Sequence, residues 1–334
     1  MLVFSTGITG FVGGFALPEL VRRGHRVRAL VRSPARAESR RAELEAAGLD
    51  PAALELCSGD LRSAEGLAEA LRGCDAVLHL AGLITARDLA EFRAVNAAGT
   101  ALLLDAALRQ SDPPRVVLVS SLAAAGPSRP GAPRAETDVE APVSWYGISK
   151  REGELEALRR CDRLRVAIAR PPAVYGPGDR ATFAFFKMAR AGWAPFPGDP
   201  QIELSLVHAA DLARGLALLL EREVPSGRCY FLTGEGAPSF AEVIDVIAAA
   251  LGRRARVLRV PRLLAAGVAL GSELVGRLRK KAPELSRDKL RELAAAAWTC
   301  TGARARTELG FASTIDWKAG LAATAAWYRE RGWL

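Results

Sequence analysis

Leu2-Val3-Phe4-Ser5-Thr6-Gly7-Ile8-Thr9-Gly10-Phe11-Val12-Gly13 is the stretch that decides the fold. Its apolar start reads as a buried strand, its three glycines as a turn, and the pattern from Phe11 onward as a helix. Glycines three apart let the backbone turn tightly, approach a pyrophosphate closely and seat the new helix against the strand. The helix start then offers free N–H groups and the positive end of its dipole to phosphates. The expected ligand is a dinucleotide. No signal or transit peptide is expected ahead of this strand.

Working outward, strand-like runs recur at Arg26–Val31, Leu54–Cys57, Ala76–Leu80, Arg115–Ser120 and Leu164–Ala169. Helical patterns fill the gaps at Phe11–Arg23, Ala35–Ala47, Ser63–Arg72, from about Asp88 to Arg109, and at Trp145–Arg160. Strands alternating with helices predict an α/β fold, a Rossmann doubly wound parallel sheet covered on both faces. After Arg170 the rhythm changes: Pro171-Pro172 and Gly176-Pro177-Gly178 mark a loop, and helices then dominate. We therefore expect a dinucleotide-binding domain over residues 1–170. A smaller, mostly helical substrate-binding region should span 171–334, with part of it free to return to the sheet. The proline-bearing segment Ser128–Pro142 is expected to be a mobile loop beside the site.

The 334 residues can bury one large core, or a main domain with a smaller partner. No apolar run is long enough to span a bilayer; the best candidate, Leu263 to Leu278, is broken by Gly267, Gly271, Ser272, Glu273 and Gly276. It is expected either to wall an apolar pocket or to pack as an ordinary amphipathic helix. A cytoplasmic protein is the default expectation. The net charge of +9 invites a nucleic-acid reading, but the basic residues are spread along the whole chain. The densest block is Arg277-Leu278-Arg279-Lys280-Lys281, so no nucleic-acid partner is expected. Cys57, Cys74, Cys161, Cys229 and Cys300 are far apart, and His25, His79 and His208 are isolated. Neither a metal site nor a disulfide framework is expected.

The second cluster is Tyr146-Gly147-Ile148-Ser149-Lys150, at the start of a predicted helix. Tyr and Lys four apart share one helical face. A nearby ammonium should stabilise the phenolate and lower the tyrosine pKa, letting Tyr146 exchange the proton that accompanies hydride movement. Ser120-Ser121, at the end of the Val116–Val119 run, can place a hydroxyl on the substrate oxygen. At the end of the second strand, Val27-Arg28-Ala29-Leu30-Val31-Arg32-Ser33 offers no acid for a ribose 2′-OH. Arg32 can instead grip a 2′-phosphate, assisted by Ser33 and Arg36, which predicts NADP(H) over NAD(H).

Taken together, these motifs resemble an extended short-chain dehydrogenase/reductase of the NAD(P)-dependent epimerase/dehydratase type. The matching pieces run almost end to end. They include Gly59-Asp60-Leu61, Leu80-Ala81-Gly82, Asn96-x-x-Gly99-Thr100, Ser120-Ser121 before Gly126-Pro127, Arg170-Pro171-x-x-Val174-Tyr175-Gly176-Pro177-Gly178 and Val207-His208-x-x-Asp211. The resemblance implies Tyr146 as acid/base, Lys150 on the nicotinamide ribose and tuning Tyr146, and Ser121 on the substrate oxygen. It implies a cofactor held by Thr6, Gly7, Thr9, Gly10, Phe11, Val12 and Gly13. Asp60, Leu61, Leu80, Ala81, Gly82, Asn96, Pro171 and Val174 would join them, as would Tyr146 and Lys150. His208 matches a family position of mostly structural use. A homodimer through the helices near Asp88–Arg109 and Trp145–Arg160 is a common family arrangement.

The branch is read from smaller signs. Sugar-nucleotide members of the family commonly carry Arg-Asp four residues before the later His, where this chain has Leu204-Ser205. The Val27–Arg32 strand and the Ser120–Pro127 loop resemble the dihydroflavonol-reductase and 3-beta-hydroxysteroid-dehydrogenase branch. The expected function is interconversion of a ketone and a secondary alcohol on a largely apolar small molecule. The alternatives are a nucleotide-sugar epimerase or dehydratase with tightly held NAD(P), and a non-catalytic cofactor-sensing protein.

Overall fold

Val3 and Phe4 are neighbours in the chain and belong to different cores, because successive strand residues point to opposite faces of a sheet. The computed structural model describes residues 1–279, 282–283 and 285–334, with Arg36 and Arg277 described by backbone alone. Seven strands build the sheet: β1 Leu2–Thr6, β2 Arg26–Val31, β3 Leu54–Ser58, β4 Ala76–His79, β5 Arg115–Val119, β6 Val166–Ala169 and β7 Arg228–Tyr230. They run in the order β7-β6-β5-β4-β1-β2-β3, every neighbouring pair parallel. This is the doubly wound α/β architecture that the alternating pattern predicts.

Each face is covered by helices. Val3, Val27, Val117 and Ala167 meet helices Phe11–Arg22 and Ala209–Glu221 through Leu17, Leu20, Leu212 and Leu216. Phe4, Val77, Leu118 and Ile168 meet helices Gly99–Leu108 and Trp145–Leu158 through Leu103, Leu104 and Ala157. The strand order reverses between β1 and β4, whose carboxyl ends bring Thr6 and His79 into register. Ligands of open α/β sheets bind at such a switch point.

After β6 a third core forms around Phe186, Phe196, Phe240, Ile244 and Tyr328. Helices Phe183–Ala191, Phe240–Ala250 and Trp317–Glu330 supply most of it. Three short parallel ladders tie this part together: Ala173–Tyr175 with Leu206–His208, Glu203–Leu204 with Ala297–Trp298, and Trp193–Phe196 with Arg256–Arg259. Among the described residues no helix is long and apolar enough to cross a membrane.

Several expectations change. The long helix from Asp88 to Arg109 is three pieces: an α-helix Leu89–Arg93, a π-turn Ala94–Ala98 and an α-helix Gly99–Leu108. The helix from Ser63 shrinks to Leu67–Ala70, because Gly66 takes a left-handed conformation (φ +73°) just before it. Ser128–Pro142 is fastened rather than loose. Ser128 N donates to Ala297 O at 2.9 Å, Arg134 N to Thr299 O at 2.9 Å, and Phe231 N to Glu136 Oε1 at 2.9 Å.

Candidate active site

Gly7 sits at φ +78°, and a Cβ there would lie 2.6 Å from Ala81 N, inside the backbone that follows β4. At Gly13 a Cβ would strike Gly7 O and Ile8 O at 2.5 Å each. Both positions therefore demand glycine, the first for its left-handed turn and the second for helix-to-strand contact. Gly10 caps helix Phe11–Arg22 without any side-chain bond, leaving the first amides open to an anion. Thr9 and Gly10 are exposed at the lip, while Phe11 and Val12 are half-buried in the first turn. The loop thus has the cradle that a dinucleotide pyrophosphate requires.

Arg40 braces the loop from the second helix, Pro34–Ala46: its Nη2 donates to Thr9 O at 3.1 Å and Gly10 O at 2.9 Å. Sequence reasoning passed over it, since nothing separates it from the other arginines of that helix. Arg32 is exposed at the end of β2 and has no carboxylate partner in an ion pair among the described residues. Ser33 caps the same helix, half-buried; the Arg36 side chain, expected here, lies outside the described residues. Asp60 is gripped by Arg62, whose Nη2 lies 2.6 Å from Asp60 Oδ2, and that bond pulls the Asp60 pKa down to about 2. Leu61 packs against Gly99, and Arg32 adds its own field to Asp60.

Behind the loop runs a buried line of hydrogen bonds. Thr100 Oγ1 donates its single proton to Asn96 O at 2.8 Å, so at 3.0 Å it can only accept from His79 Nε2. Burial, with Lys150 nearby, pushes the His79 pKa down to about 3, which keeps the ring neutral and Nδ1 bare. Thr6 Oγ1 then donates to His79 Nδ1 at 2.6 Å while accepting from Ala81 N at 3.2 Å. The order of protons is fixed by this logic. Asn96 extends the line: Oδ1 accepts from Leu83 N at 2.7 Å, and Nδ2 donates to Leu83 O at 3.0 Å and Ser149 Oγ at 2.9 Å. Ser149 donates in turn to Tyr146 O at 2.8 Å. The π-turn supplies the extra residue that swings Asn96 inward to these partners.

Tyr146 and Lys150 lie one turn apart on helix Trp145–Leu158. The Tyr146 phenol feels Ser121 beside it, and its ring leans on Phe92 with centroids 6.0 Å apart. Ser121 Oγ accepts from Ala123 N at 3.1 Å, so its proton is free to be given to the phenol oxygen. Burial nevertheless pushes the Tyr146 pKa up to about 12, with Ser121 pulling the other way and Glu292 adding to the rise. This corrects the expectation that Lys150 lowers it. The Lys150 Nζ donates instead to Val119 O at 2.6 Å, and burial brings its pKa down to about 8, opposed by Glu154. A Cβ on Gly82 would come within 3.5 Å of that Nζ, so Gly82 keeps the space before the lysine open.

Two anchors hold the helix that carries both residues, and sequence reasoning missed both. At its start, Ser144 accepts from Gly147 N at 3.1 Å and donates to Glu292 Oε1 at 2.5 Å. There Asp288 accepts from Trp145 N at 2.9 Å. At its middle, buried Glu154 takes a bidentate bond from buried Arg170, Nε to Oε1 at 2.8 Å and Nη2 to Oε2 at 2.7 Å. Glu154 stands four residues after Lys150, a spacing that could have marked it. Pro171 O, one residue after Arg170, accepts from Leu122 N at 2.8 Å and fixes the Ser121 turn. Val174 lies in the Ala173–Tyr175 ladder, half-buried. His208 has a structural post: its Nδ1 accepts from Ala210 N at 3.2 Å, and its ring packs edge-on to Tyr175 and Phe15.

A family model described as the NAD dependent epimerase/dehydratase family matches residues 3–232, a span that holds the glycine loop, Ser121, Tyr146 and Lys150. The chain belongs to that family. As an epimerase/dehydratase-family member it takes the extended short-chain dehydrogenase/reductase fold and a nicotinamide cofactor. It is 31% identical to the ceramide reductase of Caulobacter vibrioides, over 100% of this chain and 96% of the relative. It is likewise 31% identical to a 4-hydroxy-2-methyl-3-oxo-4-farnesyl-3,4-dihydroquinoline-1-oxide ketoreductase of Stigmatella aurantiaca, over 96% of this chain and 95% of the relative. Among solved structures, DesIV, a dTDP-glucose 4,6-dehydratase from Streptomyces venezuelae with NAD and TYD bound, superposes with a TM-score of 0.79. That match is 26% identical and covers 100% of this chain and 98% of the other.

Proposed function

We propose that this family member is an NADP(H)-dependent oxidoreductase that interconverts a ketone and a secondary alcohol on a largely apolar small molecule. The observation that carries the reading is the placement of Tyr146 one helical turn before Lys150, with Ser121 close enough to the phenol to pull its pKa down. A bound nicotinamide supplies the hydride for the carbonyl carbon. Tyr146, its pKa well above neutrality, holds the proton that the carbonyl oxygen takes as its π bond opens. Ser121 donates a hydrogen bond to the same oxygen once substrate displaces the phenol from it. Lys150, braced on Val119 O and by the field of Glu154, keeps a positive charge beside the departing proton. Residues 1–170 serve as the cofactor domain. Residues 171–334, apart from helix Ala209–Glu221 and β7, serve as the substrate region.

Arg32 supports NADP(H), because an exposed guanidinium with no ion-paired carboxylate among the described residues can grip a 2′-phosphate. Leu204 and Ser205 support an apolar substrate: the Ser205 hydroxyl accepts from Cys300 N at 3.0 Å, and neither side chain offers a cation to a pyrophosphate. Two of the candidate cations lie over rings instead, Arg180 over Trp333 at 5.5 Å and Lys187 over Phe183 at 5.4 Å. Both 31%-identical relatives are named for reductions, one of a ceramide and one of a farnesylated ring. The test follows nicotinamide absorbance with NADPH and a panel of apolar ketones. Wild type should consume NADPH, and Tyr146→Phe should lose about a hundred- to ten-thousandfold in turnover while still binding the cofactor. Near-normal turnover by that variant would refute the assignment. Retained cofactor with no net turnover, together with thermal stabilisation by a UDP-sugar, would move the protein to the epimerases.

A further inference from the structure

Helix Arg262–Arg279 is built inside out. Small residues face the protein: Ala265 and Ala269 are buried, with Gly276 on the same side. The large apolar ones face outward, with Leu263 88% exposed, Leu278 85%, Leu264 and Val268 64% each, Leu274 52%, and Leu270 and Val275 47% each. At about 100° per residue these seven fall within an arc of roughly 160°. Gly267 and Gly271 share that arc, and no described charged side chain interrupts it. The sequence suggested a pocket wall or a packing helix; the helix does pack, through Ala265 and Ala269, but it turns its large apolar side outward. A stripe of this kind on a free protein surface marks an interaction site.

What surrounds the stripe identifies its partner. Arg259 and Arg262 at the start of the helix and Arg279 at its end are exposed, and none has a carboxylate ion-pair partner among the described residues. Strand Arg256–Arg259 leads into the helix through Val260 and Pro261, which sets Arg259 just ahead of its first turn. An apolar face bounded at both ends by unpaired arginines is the pattern of a helix lying in a membrane interface. A second copy of the chain would bring the same arginines against themselves, whereas an anionic lipid surface neutralises them.

The geometry points to helix Arg262–Arg279 as a dock for an anionic phospholipid bilayer, lying on it without crossing it. The dock is one element away from the reaction. Leu285 N donates to Ser272 Oγ at 3.4 Å and Arg287 N to Glu273 Oε1 at 2.8 Å. Arg287 then opens helix Arg287–Leu293, whose Asp288 and Glu292 hold the start of the Tyr146 helix. A lipid-like ketone would thus be taken up from the bilayer near the site. That purpose rests on the proposed function; the docking itself does not.

The test is co-sedimentation of the full chain with phosphatidylcholine vesicles, either pure or containing one-third phosphatidylglycerol. The protein should pellet with the anionic vesicles, bind the neutral ones far less, and be released by salt at about 0.5 M. The double variant Leu264→Glu/Val268→Glu should lose about tenfold or more of that binding. Its melting temperature and its turnover of a water-soluble ketone should match wild type. Absence of pelleting with either vesicle, or equal pelleting with both, overturns the dock. Light scattering that shows a wild-type dimer split by the double variant also overturns it, assigning the face to a second copy. If no ketone is turned over while the vesicle results hold, the proposed function falls and the dock stands.

Discussion

Lys150 and Arg32 each carry a charge whose effect can be read separately. The Lys150 ammonium is protonated below its pKa of about 8 and neutral above it, because burial disfavours the charged form. Tyr146, pushed up to about 12, keeps its proton through that range and adds no inflection in the free enzyme. A pH profile of kcat/KM should therefore fall above an inflection near 8, and Lys150→Arg should remove the inflection because a guanidinium stays charged. A flat profile between pH 7 and 10 would separate the lysine from the chemistry. At Arg32 the signal is affinity: a charge-assisted bond is worth about 1.5–3 kcal/mol, so Arg32→Ala should weaken NADPH by roughly ten- to a hundredfold. NADH affinity, measured by fluorescence titration, should not move. The residue types at both positions were legible in the sequence, because Tyr-x-x-x-Lys and a strand ending in Arg are local patterns. The partner of Lys150 was not, since Val119 O comes from a strand 31 residues earlier.

Helix Trp145–Leu158 works as a unit because it is anchored at its start by Asp288 and Glu292 and at its middle by Arg170. Removing one partner from a buried ion pair leaves the other charge stranded, at a cost of about 3–5 kcal/mol. Glu154 is fully buried, and Arg151 at 3.0 Å touches only the Oε2 that Arg170 also holds, leaving Oε1 to Arg170 alone among the described residues. Arg170→Met should therefore cost stability on that scale in urea unfolding. Glu154→Leu/Arg170→Met, which removes both buried charges, should recover much of the loss. A double variant as unstable as the single one would mean that the pair is not what holds the helix. Helix and strand positions were read well where apolar periodicity carries the signal, as at β2, expected and found at Arg26–Val31. The π-turn at Ala94–Ala98 was not, because it serves the contact in which Leu83 N donates to Asn96 across 13 residues, and no local periodicity encodes it.

At the scale of the whole chain, the parallel sheet could be read from alternation, whereas the return of the chain to it after Arg170 depends on contacts far apart in sequence. Helix Ala209–Glu221 and β7 lie beyond Arg170, yet they finish one face and one edge of the sheet. A fragment ending at residue 170 would leave Val3, Val27, Val117 and Ala167 without the cover of Leu212, Leu216, Leu219 and Leu220. Burying those leucines is worth about 1.5–3 kcal/mol each. Together that is comparable to the whole stability of a typical domain, about 5–15 kcal/mol. The fragment 1–170 should thus bind a hydrophobic dye and melt without cooperativity. Extending it through β7 to residue 232 restores both the helix and the strand, and should return a cooperative transition by circular dichroism. A cooperative transition in the shorter fragment would mean that the cofactor domain ends at Arg170, and that the later helix only decorates a sheet already stable without it.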